Sequence, residues 1–417
     1  MPVFGLIDGN SFYCSAERAF APELRGLPLV VLSNNDGCAI ARTAEAKALG
    51  IKMGEPWHLA LRRPACKQVE WRSSNYPLYG DMSRRMYEVL AARVPQVEPY
   101  SIDEMFLDLT GLPDLENFCR RLRDDVRRLA KIPTCVGIGP TKTIAKLANR
   151  IAKDDVVLHG VCDLRDPATR ATCYAQSSLS MVWGIGGKTA EKLNKLGITS
   201  IADFVRLAPE QVRELLTVTG ARAQAELRGQ SCIPLTLMPP PRRLSPSPAH
   251  SGEWLRHGAS CARPSPPSPP VPPRSYGLTG CKPVISRYLP TPTRRTMMPD
   301  TAPAAPHIEP TADTLALITE AVRLLRAIWR PNFRYFKAGI MLGDFAPAQQ
   351  PSGLFSTRDA VKSARAMAAL DAVNARFGSG TLRPAATGMI KSWAGRQARH
   401  SPRYTTRAEE MLVAQAF

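Results

Sequence analysis

The stretch YSIDEMFLDLT, residues 100–110, places two adjacent carboxylates inside an otherwise apolar, strand-like run. A buried carboxylate without a partner costs several kcal/mol or gives up its charge. Because successive side chains of a strand point to opposite faces, Asp103 and Glu104 can converge on one site only where the backbone turns or kinks between them. A strand with such a turn at this pair would let both carboxylates serve one site.

Asp8 is a further candidate carboxylate, since it ends the apolar run VFGLID and precedes the turn-like pair GN. Three carboxylates at strand ends are what a pair of Mg²⁺ ions requires, because Mg²⁺ prefers hard oxygen ligands. Two such ions about 3.5–4 Å apart can activate an attacking hydroxyl and stabilise a leaving pyrophosphate. On spacing alone, a solvated loop or a salt-bridged edge is the commoner explanation of an Asp-Glu pair near a turn.

The charge balance of the 417-residue chain points to a polyanionic partner. Lys and Arg number 55 and Asp and Glu 36, which gives a net charge of +19. This excess favours a polyanion, either nucleic acid or an anionic membrane surface, although solubility alone is the plainer alternative. The chain shows no signal-peptide pattern and no apolar run near the ~20 residues of a membrane span, and its ten scattered cysteines predict free thiols. We therefore expect a cytoplasmic protein with no membrane partner.

Changes of pattern divide the chain into five segments. Residues 1–180 alternate strand-like and helix-like stretches, which predicts an α/β or α+β catalytic domain with a mixed sheet, and 181–238 form a small helical unit. Residues 239–308 are proline-rich without a sustained period, which is a poor composition for a packed core. A helix and a strand return in 309–345, and a polar, basic tail occupies 346–417.

Five separated motifs, taken together, resemble one known family. They are LIDGNSFYCSAE, VVLSNNDGCAIARTAEAKALGIKMGEPW, SSNYPLYGDMSRRM, YSIDEMFLDLTGL and VGIGPTKTIAKLANRIAK. In this order they are similar to the UmuC group of Y-family translesion DNA polymerases, over residues 1–236 and again from about residue 310. The resemblance implies an α+β multidomain fold shaped like a right hand, with a mixed-sheet palm and fingers, a helical thumb and a little-finger domain.

The resemblance also assigns the carboxylates. It implies that Asp8 and Asp103 bind two Mg²⁺ ions as cofactors. Gly9 would add its backbone carbonyl to the metal site, and Glu104 would be the third, catalytic carboxylate. The implied substrates are primer-template DNA and deoxynucleoside triphosphates.

Residues around the nucleotide follow from the same resemblance. Tyr13 in SFYCS is the expected steric gate, whose ring would stack under the incoming sugar and exclude a 2′-hydroxyl, with Phe12 as its core neighbour and a further nucleotide-binding residue. Arg42, Lys47 and Lys153 are expected to hold the triphosphate. Simple packing of the two rings, and solvent exposure of Arg42 and Lys47, are the alternatives.

The stretch WGIGGKTAEKL resembles a helix-hairpin-helix. Its glycines, Gly184, Gly186 and Gly187, would let backbone N–H groups approach a DNA phosphate, assisted by a helix N-terminus and by Lys188. Such a contact does not depend on the DNA sequence, as the thumb of a polymerase requires.

The tail contains a peptide that resembles the clamp-binding motif of bacterial polymerases. In QQPSGLF, residues 349–355, Leu354 and Phe355 would fill an apolar pocket on the sliding clamp. An ordinary loop is the alternative. The resemblance further implies UmuD-type accessory subunits and RecA as partners, in a bacterial protein associated with the nucleoid.

The resemblance is lost between residues 239 and 308. Most of a little-finger domain is expected there, but the sequence is proline-rich instead. Our hypothesis is that residues 241–305 are read largely out of frame in a GC-rich gene, because the flanks match at the expected spacing. A genuine proline-rich linker is the rival explanation. Re-reading the gene decides between them, since the hypothesis requires an alternative frame that encodes alternating strands and helices.

The function that these patterns favour is error-prone translesion DNA synthesis in the SOS response. Two other classes remain open. A non-catalytic remnant would bind DNA but leave primers unextended, and a nucleotide cyclase on a palm-like sheet would turn over triphosphate without a primer. The combination of WGIGG with a clamp-like peptide argues against the cyclase.

Overall fold

The structure, a computed structural model, forms two compact units. The first comprises Met1–Pro239 with Gln397–Phe417, and the second comprises Pro240–Arg396. The residues that it describes are 2–237, 244–255, 282–284, 311–328, 335–343, 359–378, 380–385, 397–405 and 407–411.

Strands and helices alternate along most of the first unit, as its sequence predicts. The strands are, in chain order, β1 (Phe4–Gly9), β2 (Leu29–Leu32), β3 (Ala39–Arg42), β4 (Glu70–Ser73), β5 (Val97–Pro99), β6 (Glu104–Asp108), β7 (Thr134–Gly139), β8 (Val161–Asp163), β9 (Leu244–Leu255), β10 (Lys282–Val284) and β11 (Tyr335–Gly343). The α-helices are α1 (Phe12–Phe20), α2 (Ala44–Ala48), α3 (Trp57–Ala60), α4 (Tyr76–Ala91), α5 (Leu115–Ala130), α6 (Lys142–Asp154), α7 (Pro167–Gln176), α8 (Gly187–Asn194), α9 (Ile201–Arg206), α10 (Pro209–Leu227), α11 (Thr314–Ile328) and α12 (Ala360–Phe377).

A five-stranded mixed sheet with strand order β5-β6-β1-β7-β8 is the centre of the first unit. The middle strand, β1, is antiparallel to both β6 and β7, and β8 runs parallel to β7. Helices cover both faces of β1, since Ile7 shares a core with Leu122 of α5 and Leu6 shares another with Ala145 of α6. The whole of β1 is therefore buried, and only its ends can present polar groups to a site.

Helix α6 lies unusually close to the sheet because β7 contains a glycine beneath it. A Cβ atom at Gly137 would be 2.0 Å from the backbone nitrogen of Asn149 and 2.2 Å from the carbonyl oxygen of Ala145. No side chain fits there, so the glycine lets the helix backbone rest directly on the strand. This contact sets the height of α6 above β1 and β6.

A separate three-stranded sheet, with order β3-β2-β4, follows α1 in the chain. Its strand β2 is antiparallel to β3 and parallel to β4. Val30 and Leu32 of β2 form a small core with Trp57 of α3 and Ile51. Helices α8 to α10 lie within the segment where a helical unit is expected after residue 180, and α7 precedes that segment. The core that these helices share includes Tyr174, Leu193, Phe204, Val212 and Leu227.

The second unit contains a three-stranded antiparallel sheet with order β10-β11-β9. Although the sequence of 239–308 carries no regular period, β9 and β10 both lie within that segment. The edge position of β9 explains how it accommodates Pro246 and Pro248, because residues two apart direct their backbone nitrogens to the same side of a strand. Both missing N–H donors can thus face away from β11. Most of the remaining proline-rich segment lies outside the described residues.

Two further expectations concern the chain as a whole. None of the cysteines among the described residues forms a disulfide, as the scattered spacing predicts. Within the described ranges, no helix combines the length and apolar character needed to cross a membrane.

Candidate active site

The carboxylates of the first motifs meet where β1 ends and β6 begins. Asp8 and Glu104 are direct partners in the antiparallel register of these strands. Beyond them, the backbone N–H of Gly9 donates to the carbonyl oxygen of Asp103 at 2.9 Å. Two segments that are distant in sequence thereby bring three carboxylates together at the adjoining strand ends of the buried sheet, which we call the carboxylate edge.

A turn before β6 resolves the problem that adjacent strand residues point to opposite faces. Asp103 precedes the strand, and the hydroxyl of Ser101 accepts from the backbone N–H groups of Asp103 at 3.3 Å and Glu104 at 3.0 Å. The same hydroxyl donates to Oδ1 of Asp103 at 2.7 Å. Ser101 thus shapes the turn and holds one of the carboxylates. It was not predicted as a site residue, although a serine two residues before an aspartate at a turn is a known local signal.

Helix α6 presents a polar stripe to this carboxylate edge. Lys142, Lys146, Asn149 and Lys153 recur at intervals of four, three and four residues, which places them on one face of the helix. Asn149 fixes the stripe to the sheet, since its Nδ2 donates to the carbonyl oxygens of Leu6 at 3.1 Å and of Cys135 at 2.7 Å.

Two lysines of this stripe neutralise the site carboxylates. Nζ of Lys153 lies 2.5 Å from Oδ2 of Asp8. Nζ of Lys146 donates to both oxygens of Glu104, at 2.7 and 2.9 Å. Lys153 was predicted for the site and Lys146 was not, although the four-three-four spacing in KTIAKLANRIAK would have identified it.

Burial sets the electrostatics of Asp8. It raises the pKa of the Asp8 carboxyl to about 6, against the lowering effect of Lys153, and the nearby charges of Asp103 and Glu104 raise it further. Because the charges of Asp103 and Glu104 both affect the pKa of Asp8, the two groups lie close enough to Asp8 to interact with it electrostatically. The site therefore favours added positive charge, and its hard oxygen donors are of the type that Mg²⁺ prefers.

Two of the three carboxylates, Asp8 and Glu104, are paired with lysines rather than arranged with Asp103 around a common centre. In the part of the chain that the structure describes, no three acidic, histidine or cysteine side chains converge closely enough to hold a metal ion. The donor set thus fits a divalent cation by its chemistry and charge, while the present side-chain positions favour the ion pairs.

Tyr13 faces the same region from the first turn of α1. Its ring stacks on that of Tyr79, with centroids 4.4 Å apart and planes 17° apart, and meets Tyr76 edge-on at 6.2 Å. Burial raises the pKa of the Tyr13 hydroxyl, and the nearby groups of Tyr76 and Asp103 raise it further. Phe12 is 2% exposed and packs in the core, which is the role of a neighbour rather than of a contact surface.

Arg42 and Lys47 lie on the smaller sheet and its following helix. Nη1 of Arg42 donates to the carbonyl oxygen of Ile51 at 2.8 Å, while its Nε is buried without a hydrogen-bond partner. Lys47 is exposed on α2. Among the described residues, no ion pair joins either side chain to the three carboxylates.

The predicted hairpin precedes α8 and is exposed. Gly184 has a φ of 91°, which only glycine adopts without strain. Gly186 and Gly187 need no positive φ, yet a Cβ atom at either would meet nothing within 4 Å. No internal contact therefore requires glycine there, and Lys188 is exposed beside them. Leu354 and Phe355 of the clamp-like peptide lie outside the described residues.

Sequence models of known families match three parts of the chain. The impB/mucB/samB family matches residues 7–150, and its C-terminal domain matches residues 286–354. A domain of unknown function matches residues 364–414. The first match contains both carboxylate motifs, and the second begins inside the proline-rich segment.

Full-length relatives and solved structures agree with these matches. The chain is 38% identical to protein UmuC of Salmonella typhimurium, over 98% of this chain and 99% of the relative. It is 35% identical to protein MucB of Escherichia coli, over 97% of each. In fold it is similar to a Y-family DNA polymerase chimera of Dbh and Dpo4, with a TM-score of 0.63 and 19% identity over 83% of this chain and 99% of that one. DinB from Sulfolobus solfataricus gives a TM-score of 0.52 at 18% identity, over 82% and 99% of the two chains.

Proposed function

We propose that this chain, which belongs to the UmuC-type group of Y-family translesion DNA polymerases, builds its catalytic centre from Asp8, Asp103 and Glu104. The enzyme is a DNA-directed DNA polymerase of the kind that acts in SOS mutagenesis. The observation that supports the residue assignment is the meeting of three carboxylates at the adjoining ends of β1 and β6, opposite the lysines of α6.

Asp8, Asp103 and Glu104, with the carbonyl of Gly9, would hold two Mg²⁺ ions. When bound, these ions supply the charge that activates the primer 3′-hydroxyl and stabilises the leaving pyrophosphate. The protein offsets the negative charge of Asp8 and Glu104 by pairing each with a lysine.

Lys153 and Lys146 would contact the triphosphate once the carboxylates have another cation to neutralise them. In the reaction, the primer 3′-oxygen forms a bond to the α-phosphorus while the bond from that phosphorus to pyrophosphate breaks. The departing pyrophosphate gains negative charge, and cations fixed on a helix stabilise it without reorganisation. Arg42 and Lys47 would approach the triphosphate from the smaller sheet and the helix that follows it.

Primer extension by the full chain, with Mg²⁺ and all four deoxynucleotides on intact and abasic templates, tests this function. Extension past the abasic site is the expected result. Retained DNA binding without extension would instead identify a catalytically inactive remnant. Release of pyrophosphate in the absence of a primer would indicate a cyclase-type reaction.

Tyr13 is proposed as the group that selects the sugar. Replacement Tyr13→Ala is expected to lower the preference for deoxynucleotides over ribonucleotides by about two orders of magnitude, because the clash with a 2′-hydroxyl is lost. The measurement is the ratio of kcat/KM values for a deoxynucleotide and the matching ribonucleotide. Tyr13→Phe keeps the ring and should keep the preference, so an equal loss in both variants would contradict a steric role.

The exposed hairpin before α8 is proposed to bind a DNA phosphate through backbone N–H groups and Lys188. Lys188→Ala is expected to weaken DNA binding and to reduce the slope of log Kd against log salt concentration by about 1, since one phosphate contact is lost. Lys195→Ala, at the other end of the same helix and also exposed, is the control and should leave the slope unchanged. Equal effects of the two variants would indicate nonspecific attraction.

Further partners remain proposals. Leu354 and Phe355 would anchor the chain to the sliding clamp, and UmuD-type subunits and RecA would act with it at the nucleoid. The domain limits proposed are a palm and fingers over 1–180 and a thumb over 181–238. A proline-rich segment over 239–308 would stand in place of most of the little finger, whose remaining helix and strand would occupy 309–345, before a basic tail over 346–417. The out-of-frame reading of 241–305 also remains a hypothesis, and the family match that begins at residue 286 limits how far it can extend.

A further inference from the structure

A short segment near the C-terminus, residues 398–405, lies against the catalytic unit, and we call it the C-terminal strap. Its backbone joins the end of β4, since the N–H of Ser73 donates to the carbonyl oxygen of Arg399 at 3.0 Å and Oγ of Ser73 accepts from the N–H of Arg399 at 3.2 Å. At its other end, the ring of Tyr404 stacks on Phe20, with centroids 4.9 Å apart. The strap is therefore held at both ends.

Between these ends, Ser401 enters a buried polar network. It is 5% exposed, and its hydroxyl donates to Oε1 of Glu17 at 3.0 Å. The hydroxyl of Tyr79 donates to the same oxygen at 2.7 Å. Asn75 donates to Oγ of Ser401 at 2.9 Å and to the carbonyl oxygens of Ser401 and Pro402.

The charge of Glu17 depends on this network. Glu17 is 1% exposed, and burial raises the pKa of its carboxyl, while the hydrogen bonds from Tyr79 and Ser401 act against that rise. A buried carboxylate is strongly oriented by the donors that satisfy it, because leaving one of its bonds unmade is costly.

The hydrogen-bond network of Ser401, Glu17 and Tyr79 reaches the ring of Tyr13, which is proposed to select the sugar. Glu17 follows Tyr13 by four residues in α1, so both side chains lie on the same face of the helix. Tyr79, which is fully buried, contacts both of them, Tyr13 by ring stacking and Glu17 through its hydroxyl. A continuous series of contacts thus runs from Ser401 through Glu17 and Tyr79 to Tyr13.

We infer that the C-terminal strap is a positioning element for sugar selection, in which Ser401 orients Tyr79 through Glu17 and Tyr79 supports the ring of Tyr13. This role rests on the proposed function of Tyr13. Such a role would assign a function to the C-terminal part of residues 364–414, the region that matches a domain of unknown function. Ser401 acts as a positioning residue, since in the described part of the chain it reaches Tyr13 through Glu17 and Tyr79.

The test compares sugar preference in single variants of the full chain. Ser401→Ala removes one donor to Glu17, while Asn75 keeps two carbonyl acceptors. The expected result is a fall of about three- to tenfold in the ratio of kcat/KM for deoxynucleotide over ribonucleotide, because a support of the ring is loosened. Tyr79→Phe keeps the stacked ring but removes the other donor, and it should lower the ratio in the same direction.

Tyr404→Phe is the matched control, because it keeps the stack on Phe20 that holds the strap and removes only a hydroxyl for which the described residues show no hydrogen bond. It should leave the ratio within about twofold. If the strap only stabilises the fold, Ser401→Ala and Tyr79→Phe will also leave the ratio within twofold while Tyr13→Ala lowers it, and the inference is then wrong. If Tyr13→Ala itself leaves the ratio unchanged, the assignment of Tyr13 fails, and the inference fails with it.

Discussion

Replacing Asp103 by asparagine is expected to lower kcat for deoxynucleotide incorporation by about 10³-fold or more, with a similar loss in kcat/KM. The amide keeps the size of the side chain and an acceptor for the Ser101 hydroxyl, which lies 2.7 Å from Oδ1. The charge that would bind a cation is lost, whereas the turn before β6 is preserved. Single-nucleotide incorporation under saturating DNA measures the effect.

The control for this prediction lies at the other end of the same strand. Asp108 pairs in register with Phe4, and its Oδ1 accepts from the backbone N–H of Thr110 at 2.9 Å. Asp108→Asn makes the same chemical change away from the site and should leave kcat unchanged. An Asp103→Asn enzyme that retains activity within tenfold of the native chain, with an unchanged Tm, would show that catalysis does not depend on this carboxylate.

The second large effect concerns the buried ion pair between Lys142 and Glu98. Lys142 is 1% exposed, its Nζ donates to Glu98 and lies 4.7 Å from the centre of the Phe106 ring. Lys142→Met keeps the apolar stem but leaves the carboxylate of Glu98 without its cation, and about 3–5 kcal/mol of unfolding free energy should be lost. Urea denaturation of the full chain measures this loss.

A double variant separates the loss of an attraction from the cost of an unpaired charge. In Lys142→Met with Glu98→Gln, neither charge of this buried pair remains, and the glutamine still accepts from the N–H of Thr236 at 2.6 Å. Most of the lost stability should return, to within about 2 kcal/mol of the native chain. A double variant as unstable as the single one would refute this explanation.

A solvent-exposed pair provides the comparison for Lys142. Arg84 pairs with Asp81 and Glu88 on the surface of α4, and its side chain is 61% exposed. Arg84→Met should leave the free energy of unfolding unchanged within measurement, because exposed pairs gain little over water and Asp81 keeps Arg85 as a partner. The contrast isolates burial as the cause of the effect at Lys142.

Local patterns in the sequence were sufficient for much of the candidate site. An apolar run that ends in Asp8, and another that begins at Asp103 and Glu104, already indicated carboxylates at strand ends. The requirement for a turn before β6 also followed from strand geometry, and the structure has that turn at Ser101. These features depend on residues within a few positions of one another, which is the range over which side-chain periodicity is informative.

The polar stripe of α6 could be predicted from the sequence only in part. Its spacing could be read from the sequence, because residues 142, 146, 149 and 153 recur with the period of a helix. Its partners could not, since pairing with Asp8 and Glu104 requires the strand order β6-β1-β7 and the close approach of α6 at Gly137. For this reason Lys146 became recognisable as a site residue only in the folded protein.

By itself, then, the sequence determined the chemistry available to this protein, namely three carboxylates, a ring beside them and a basic helix in a family-specific order. Only the tertiary structure decided which groups meet, as the contact between Ser401 and Glu17, 384 positions apart, shows. The physical reason is that burial and hydrogen-bond satisfaction are properties of the packed chain. Local periodicity describes which face a side chain occupies, and packing alone determines what lies opposite that face.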